Sequence, residues 1–353
     1  MKNRYLDNSL KSKFSSPWNG LNRPLLIAEI GGNHEGDYEK ANLLVDLAID
    51  SAADVIKFQI YNADSLVSKI ENPKRHKHFQ KFELSKSQHI ALAKKCISNG
   101  KLYTSSIWSS EDLSWINPYV EFYKIGSGDL TAFPVIKEIV KLRKPIILST
   151  GLSTKEEVIE TIGFIQNLDS NYKNKEMICL LQCTSMYPIV ESDVHLDVML
   201  DYKKITKLSV GYSDHTEGID ALKIAATMGA NVLEFHFTDD RKNKKFRDHK
   251  VSLTKKEVDE LKDHINLVSE IRGNSEKKLL QTEIDNNHHK SFRRAIYLNK
   301  PLKKGEIIKK QDMICLRPLA GTDARFFSQM EGSKALKDIE PLKAVFKDID
   351  YKK

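Results

Sequence analysis

Glu29, Lys57, Lys124, His215 and His236 each stand at or near the end of a short apolar run: LLIAEIGGN, DVIKFQIY, FYKIGSG, KLSVGYSDH and NVLEFHFTD. Two neutral imidazoles suit a divalent transition metal with positions left open for substrate. Two barrel histidines hydrogen-bonded to carboxylates are the competing reading, and spacing alone leaves both open. Glu234, Asp214 and Asp248 are on hand as further ligands or as supports for the imidazoles. A buried lysine either carries a depressed pKa, as imine-forming lysines do, or is held charged by an anion. Snorkelling at a barrel rim is the third option for Lys57 and Lys124. Ser127, Ser149, Thr150, Ser185 and Ser213 fall near strand ends, where hydroxyls can bind phosphate or carboxylate oxygens. Two lysines among hydroxyls and glycines describe a phosphate-bearing carboxylate better than an imine.

The elements that must position these groups alternate regularly. Strands are predicted at 24–33, 54–61, 101–107, 122–128, 145–151, 176–184, 207–215 and 231–239, with amphipathic segments of helical period between them. Eight such pairs match a (β/α)8 TIM barrel, which places chemistry at the C-terminal ends of its strands. A doubly wound open sheet would want a glycine fingerprint after the first strand, and EIGGNHEG is not one. Parity sharpens the barrel reading, because alternate side chains face the lumen. Glu29 shares a face with Ile27, Gly31 and Asn33; Lys57 with Gln59; Ser213 with Gly211 and His215; Glu234 with His236. The opposite parity is mainly apolar. A lumen lined with acid, lysine and imidazole is costly unless those groups are paired or ligated.

After residues 1–23, an N-terminal extension, the barrel is expected over 24–272. A polar linker follows at 273–291, then a small C-terminal domain at 292–353 of short strands ending in a compact α+β segment. His288 and His289 fall in the linker and receive no role. A tail of that size is marginal as a self-standing core and should lean on a neighbour. The 353 residues are 40% apolar and 29% charged, as in ordinary soluble proteins, and no apolar run is long enough to span a membrane. The net charge of +8 comes from lysines scattered along helical faces, without the aromatic platforms of a nucleic-acid surface. The N-terminus lacks a secretory signal, and Cys96, Cys179, Cys183 and Cys315 lack metal-finger spacing. A cytoplasmic protein with reduced thiols is expected.

Several motifs in order resemble the sialic acid synthase family, which condenses phosphoenolpyruvate (PEP) with an N-acylated hexosamine. They are IAEIGGNHEGD, VIKFQIY, YKIGSGDLT, KPIILSTGLST, CTSMYP, GYSDHT, EFHFTDD and RDHKVSL. The tail segments KPLKKGEII and CLRPLAGT resemble the antifreeze-like (SAF) domain of those synthases. The resemblance implies a divalent metal on His215 and His236, usually manganese, with Mg2+ or Co2+ as alternatives. It implies PEP contacts at Lys57, Lys124, Ser105, Ser127, Ser149, Ser185 and Ser213. It implies sugar contacts at Glu29, Gln59, Tyr187 and Asp248, with Glu29 and Asp248 counted with the lysines as catalytic. Arg317 matches an arginine that crosses a domain-swapped homodimer to the partner's active site.

The chain departs from the family pattern at Phe246-Arg247, where Gly-Pro is common, at Phe235, at Thr104-Ser105-Ser106-Ile107, and after Arg317. Those departures group on the sugar side of the expected site. The implied activity is that of an N-acetylneuraminate synthase acting on an N-acetylmannosamine-like acceptor. A legionaminic or pseudaminic acid synthase, or another nonulosonate synthase, is the alternative. A lysine imine aldolase and a catalytically inactive sugar-binding protein are the readings from other classes.

Overall fold

The computed structural model describes Pro17, Trp18 and residues 23–353; most of the expected 1–23 extension lies outside the described residues. Strands β1 (Leu25–Glu29), β2 (Val55–Ile60), β3 (Leu102–Ile107), β4 (Tyr123–Ile125), β5 (Ile146–Ser149), β6 (Ile178–Cys183), β7 (Ser209–Asp214) and β8 (Val232–His236) pair in parallel in chain order. The eighth closes on the first, giving the (β/α)8 barrel. Each strand is followed by a helix: α1 (Tyr38–Ile49), α2 (Lys86–Ser98), α3 (Leu113–Ile116), α4 (Phe133–Val140), α5 (Lys155–Leu168), α6 (Asp197–Thr206), α7 (Asp220–Thr227) and α8 (Lys255–Arg272). Local chemistry sets the helix starts. The Asp37 carboxylate accepts from the first-turn amides of α1, and Ser85 with Gln88 and Thr154 with Glu157 form reciprocal capping boxes on α2 and α5.

Alternation of side chains splits the interior into two layers. Leu26, Ala28, Ile56, Phe58, Val210, Tyr212, Leu233 and Phe235 pack outward against the helices. Leu25, Ile27, Val55, Leu102, Ile147 and Leu181 point inward and, with Trp18, make an apolar floor in the lumen. Above that floor the same inward parity turns polar, with Glu29, Lys57, Lys124, Ser213, Glu234 and His236 all buried. The register sets Glu29 beside both Lys57 and His236, and Ser213 beside Glu234.

The strands are shorter than their apolar runs suggest, because the chain leaves the ladder to build turns at the C-terminal ends. Ser127 falls in a 3-10 turn after β4, and Gly31 already has φ 52° two residues past β1. The third helix is a single turn between 3-10 segments Ser110–Asp112 and Asn117–Tyr119, cut short where Pro118 removes a backbone donor. An extra helix, Pro73–Phe82, is inserted between β2 and α2.

The chain divides into two compact units, the second being Asn274–Lys353. Within it β9 (Ala295–Leu298) pairs antiparallel with β10 (Met313–Leu316), and β11 (Lys334–Ala335) with β12 (Tyr351–Lys352). Ile296, Leu298, Ile308, Met330, Val345 and Tyr351 form its core. Residues 273–291, read as a linker, contain two short helices, Gln281–Asp285 and His288–Ser291, too brief to show a helical period in sequence. The expected α+β ending is also corrected: residues 336–350 form bends and turns without a helix. Among the described residues no helix is long and apolar enough to cross a membrane.

Candidate active site

The two lumen lysines do not snorkel. Lys57 Nζ lies 2.7 Å from Glu29 Oε2 and 3.8 Å from Glu234 Oε2, and donates to Ser106 Oγ at 3.3 Å. Lys124 Nζ donates to Glu234 Oε1 at 2.9 Å, an oxygen that also accepts from Ser213 Oγ at 2.9 Å. Two cations and two carboxylates are therefore buried as one network, which meets the requirement that interior charge be compensated. The carboxylates are driven apart in acidity. Burial outweighs the Lys57 charge at Glu29, and the neighbouring Glu234 adds to it, so the Glu29 carboxyl sits above its ordinary range. At Glu234 burial is overcome by Lys124 and Lys57, and its pKa falls to about 2. Glu29 is thus suited to moving a proton and Glu234 to remaining a fixed charge. Gln59 Nε2 donates to Glu29 Oε1 at 2.8 Å and fixes that side chain.

Hydroxyls gather one strand further round. A Cβ built on Gly151 would lie 2.6 Å from Ser185 Oγ and 2.8 Å from Ser127 Oγ, so the glycine is what admits them. The Gly151 N–H donates to Ser127 Oγ at 3.1 Å. Ser149 Oγ on β5 is buried and finds no hydrogen-bond partner among the described residues, which marks a place where a ligand oxygen would be received. Ser105 is corrected. It lies on the outward parity of β3 and donates to the Phe58 carbonyl at 2.9 Å. Its neighbour Ser106 takes the lumen position that faces Lys57.

His215 and His236 converge, with ring centroids 5.3 Å apart. The Thr184 carbonyl lies 2.7 Å from His215 Nδ1 and accepts its proton, which leaves Nε2 as the free donor. Burial, followed by the charges of His215 and Lys57, holds the His236 pKa well below the ordinary value, so that ring is neutral. His236 Nδ1 is buried and finds no hydrogen-bond partner among the described residues, and Asp248 Oδ2 is 3.9 Å away. At His215 burial is overcome by Cys183 and by the Thr184 carbonyl, which raise its pKa, so the neutral His236 ring and Nε2 of a deprotonated His215 are the nitrogens that would meet a divalent ion. Among the described residues no group of three or more His, Cys, Asp or Glu converges as a metal cage. Two imidazoles alone would leave positions on such an ion for water and substrate. Asp214 is not part of it, since its carboxylate accepts from Tyr212 Oη, the Thr216 N–H and Thr216 Oγ1.

Tyr187 covers the histidines, its ring 4.0 Å from His215 and edge-on to His236 at 5.6 Å. Asp248 is buried beside it, and the burial raises its pKa. Arg317 lies in the second unit, exposed, with its guanidinium 5.7 Å from the Phe292 ring centroid.

A model of the NeuB family matches residues 44–277. The chain belongs to the NeuB family. A SAF domain model matches residues 293–347. The chain is 34% identical over 334 residues to the N,N'-diacetyllegionaminic acid synthase of Campylobacter jejuni subsp. jejuni serotype O:2, covering 90% of this chain and 97% of that one. It is 32% identical over 281 residues to the N-acetylneuraminate-9-phosphate synthase of Homo sapiens, covering 76% of each. The crystal structure of N-acetylneuraminic acid (sialic acid) synthetase from Leptospira borgpetersenii serovar Hardjo-bovis in complex with citrate superposes with a TM-score of 0.68. Its identity to this chain is 26%, over 76% of this chain and 92% of that one.

In this NeuB-family barrel, several site groups were not singled out as site residues from sequence. Trp108, just past β3, donates a hydrogen bond to Asp129, whose pKa is raised by burial to about 6 despite nearby Lys124. Tyr61, just past β2, stacks on Trp108 at 5.0 Å and packs edge-on to Phe79 at 5.1 Å. An acid or aromatic residue just beyond a barrel strand was the available signal. Among the departures from the family pattern, Phe235 faces the helix layer and stands apart from the site. Phe246 and Arg247 do reach the mouth: Phe246 packs on Phe82, and the Arg247 guanidinium lies 4.5 Å from the Tyr187 ring centroid.

Proposed function

We propose that this NeuB-family protein condenses PEP with an open-chain N-acylated hexosamine, N-acetylmannosamine-like, to give a nonulosonic acid and phosphate. The observation that carries the reading is the buried Lys57–Glu29–Glu234–Lys124 network set beside the Ser127 and Ser185 hydroxyls and two neutral-capable histidines. A divalent ion on His215 and His236, manganese by family resemblance with Mg2+ or Co2+ as alternatives, would supply Lewis-acid polarisation of the sugar aldehyde.

The chain's own groups do the rest. Lys57 and Lys124, with the hydroxyls of Ser127, Ser149, Ser185 and Ser213, hold the PEP phosphate and carboxylate. Gln59, Tyr187 and Asp248 orient the sugar, which brings the PEP methylene carbon against the aldehyde carbon. The new C–C bond forms there, water adds at the second carbon of PEP, and phosphate leaves by C–O cleavage. The two protons of that water end on the new hydroxyl and on the departing phosphate. Glu29, with its raised pKa, protonates the former aldehyde oxygen, and Asp129 takes a proton from the water.

Arg317 of the second unit closes the partner's barrel in a domain-swapped homodimer, a reading supported by its exposure and by its place in the SAF segment. The enzyme works in the cytoplasm, where Cys96, Cys179, Cys183 and Cys315 remain thiols. The test is phosphate release from PEP by purified protein with Mn2+ and a panel of N-acylated hexosamines, with products weighed by mass spectrometry. No phosphate with any acceptor would sink the proposal. The likeness to a legionaminic acid synthase over 97% of its length favours including di-N-acetylated acceptors. A legionaminate or pseudaminate mass would assign the product to those alternatives.

A further inference from the structure

Asn33 shares the lumen-facing parity of Glu29 in sequence, yet the condensation chemistry gives it no task. Strand β1 follows β8 in register from Leu25↔Val232 to Glu29↔His236, and the Phe237 N–H still donates to the Glu29 carbonyl. The ladder stops there, because Gly31 turns the chain away with φ 52°. The Phe237 carbonyl, which a continuing parallel strand would have bonded, receives Asn33 Nδ2 instead at 2.8 Å. The same Nδ2 donates to Ser252 Oγ at 2.8 Å, and that hydroxyl donates in turn to the Asp248 carbonyl at 2.6 Å. Asn33 and Ser252 are both buried.

The direction of each bond is fixed. A carbonyl only accepts, so the amide nitrogen of Asn33, and not its oxygen, must face Phe237. Asn33 Oδ1 finds no partner among the described residues, so the side chain serves entirely as a donor. Its two amide hydrogens go to two segments of the site. One is the peptide directly after His236; the other, through Ser252, is the 3-10 turn Arg247–Val251 that carries Asp248. His236 Nδ1 and Asp248 Oδ2 are 3.9 Å apart, beyond hydrogen-bond reach, so these side chains do not hold each other. Backbone bonds from the Leu253 N–H to His236 and from the Thr238 N–H to Leu253 align the two segments but stop short of Asp248. His249 ties the turn independently, through Thr238 Oγ1 at 2.8 Å and Glu35 Oε1 at 3.3 Å. The turn therefore keeps an anchor without Asn33, and what is lost is the spacing of Asp248 from His236.

We propose that Asn33 is a positioning residue that sets the spacing between the imidazole of His236 and the carboxylate of Asp248. Its kinetic consequences rest on the condensation reading above, and its metal consequence rests on the two histidines alone. Ser252 divides the two effects, because it relays Asn33 to Asp248 and, among the described residues, makes no bond to the Phe237 peptide.

The experiment measures Mn2+ affinity by calorimetry. It also measures kcat and KM with PEP and N-acetylmannosamine, or a di-N-acetylated hexosamine if that releases phosphate faster. Asn33→Ala and Ser252→Ala are compared with Thr161→Val, which removes a buried hydroxyl bonded to the Leu130 carbonyl in the helix layer. Asn33→Ala should weaken Mn2+ binding and raise the acceptor KM, each about tenfold, the scale for losing a group that orients a metal ligand. Ser252→Ala should raise the acceptor KM by a similar factor while Mn2+ affinity stays within about twofold of wild type. The KM for PEP should stay within about twofold in both variants. Thr161→Val should lower the melting temperature and move none of these constants. A lowered melting temperature alone in Asn33→Ala and Ser252→Ala would make Asn33 structural and overturn the proposal. Equal loss of Mn2+ affinity in both variants also overturns it, by denying the division at Ser252. If Asn33→Ala does not fold, Ser252→Ala decides: a raised acceptor KM with Mn2+ affinity kept upholds the proposal, and an unchanged KM overturns it. If wild type releases no phosphate from either acceptor, the condensation reading falls and Mn2+ affinity decides Asn33 alone. A loss of about tenfold in Asn33→Ala then upholds it, and an unchanged affinity overturns it.

Discussion

At the residue scale, Glu29 and Glu234 are two buried carboxylates flanking Lys57 that their surroundings set to different tasks. Glu234 is held charged, with its pKa at about 2. Removing one partner of a buried network leaves uncompensated charge, so Glu234→Gln should lower stability by about 3–5 kcal/mol at neutral pH. The folded pKa lies below the unfolded one, so the stabilisation is complete above roughly pH 4.3 and fades as pH falls toward the folded value. Urea unfolding at pH 7 and pH 3 tests this, and an equal gap between wild type and variant at both would refute it. Glu29→Gln keeps the shape of its site but takes a carboxylate from the same network, so it should cost some stability, less than Glu234→Gln because the raised Glu29 pKa already disfavours its charged form, and it should lose about 10²- to 10⁴-fold in kcat. Asp129 adds a pH signature. As a base it must be ionised, so kcat/KM should climb through about pH 6 and level off above it. Asp129→Asn should abolish that acidic limb along with most of the rate; a limb that survives would reassign it.

At the element scale, the barrel lays its chemistry above an apolar floor by one rule, inward parity turning polar near the strand ends. That rule was legible in the sequence, since apolar outward residues alternate with Glu29, Lys57, Ser213 and Glu234. It was not applied at β3, where the resemblance pointed to Ser105: TSSI offers two adjacent serines, and only the register with β2 decides which faces inward. Strand ends were equally hard to read: the turns carrying Ser127 and Ser185 continue strand-like stretches, and only the folded chain shows them meeting over Gly151. The inserted helix, built from polar and basic residues, gave little apolar signal, so its aromatic contacts with Phe246 could not be foreseen. The Gly151 cradle has a direct test. In Gly151→Ala the new methyl would overlap both hydroxyls, so KM for PEP should rise about tenfold or more while the sugar KM changes little. A variant with normal PEP affinity would remove these serines from the PEP site.

At the scale of the whole molecule, the second unit is 80 residues with a small core of its own, apart from the barrel that holds the site. The proposal is that Arg317 acts on the partner's barrel, and domain exchange of that kind makes a quantitative prediction. His236→Ala removes a metal donor and should abolish both metal binding and turnover with the fold retained. Arg317→Ala should impair turnover with metal content unchanged. Each variant alone forms dimers with two defective sites. In a heterodimer of the two, cross-subunit supply places both defects in one site and leaves the other whole. Random re-pairing of an equal mixture should therefore restore about a quarter of wild-type activity. If Arg317 served its own barrel, each site of the heterodimer would still carry one defect and mixing would restore nothing. Unfolding is not needed for the test, only co-expression with separable tags, and activity that stays at the level of the single variants would return Arg317 to its own chain.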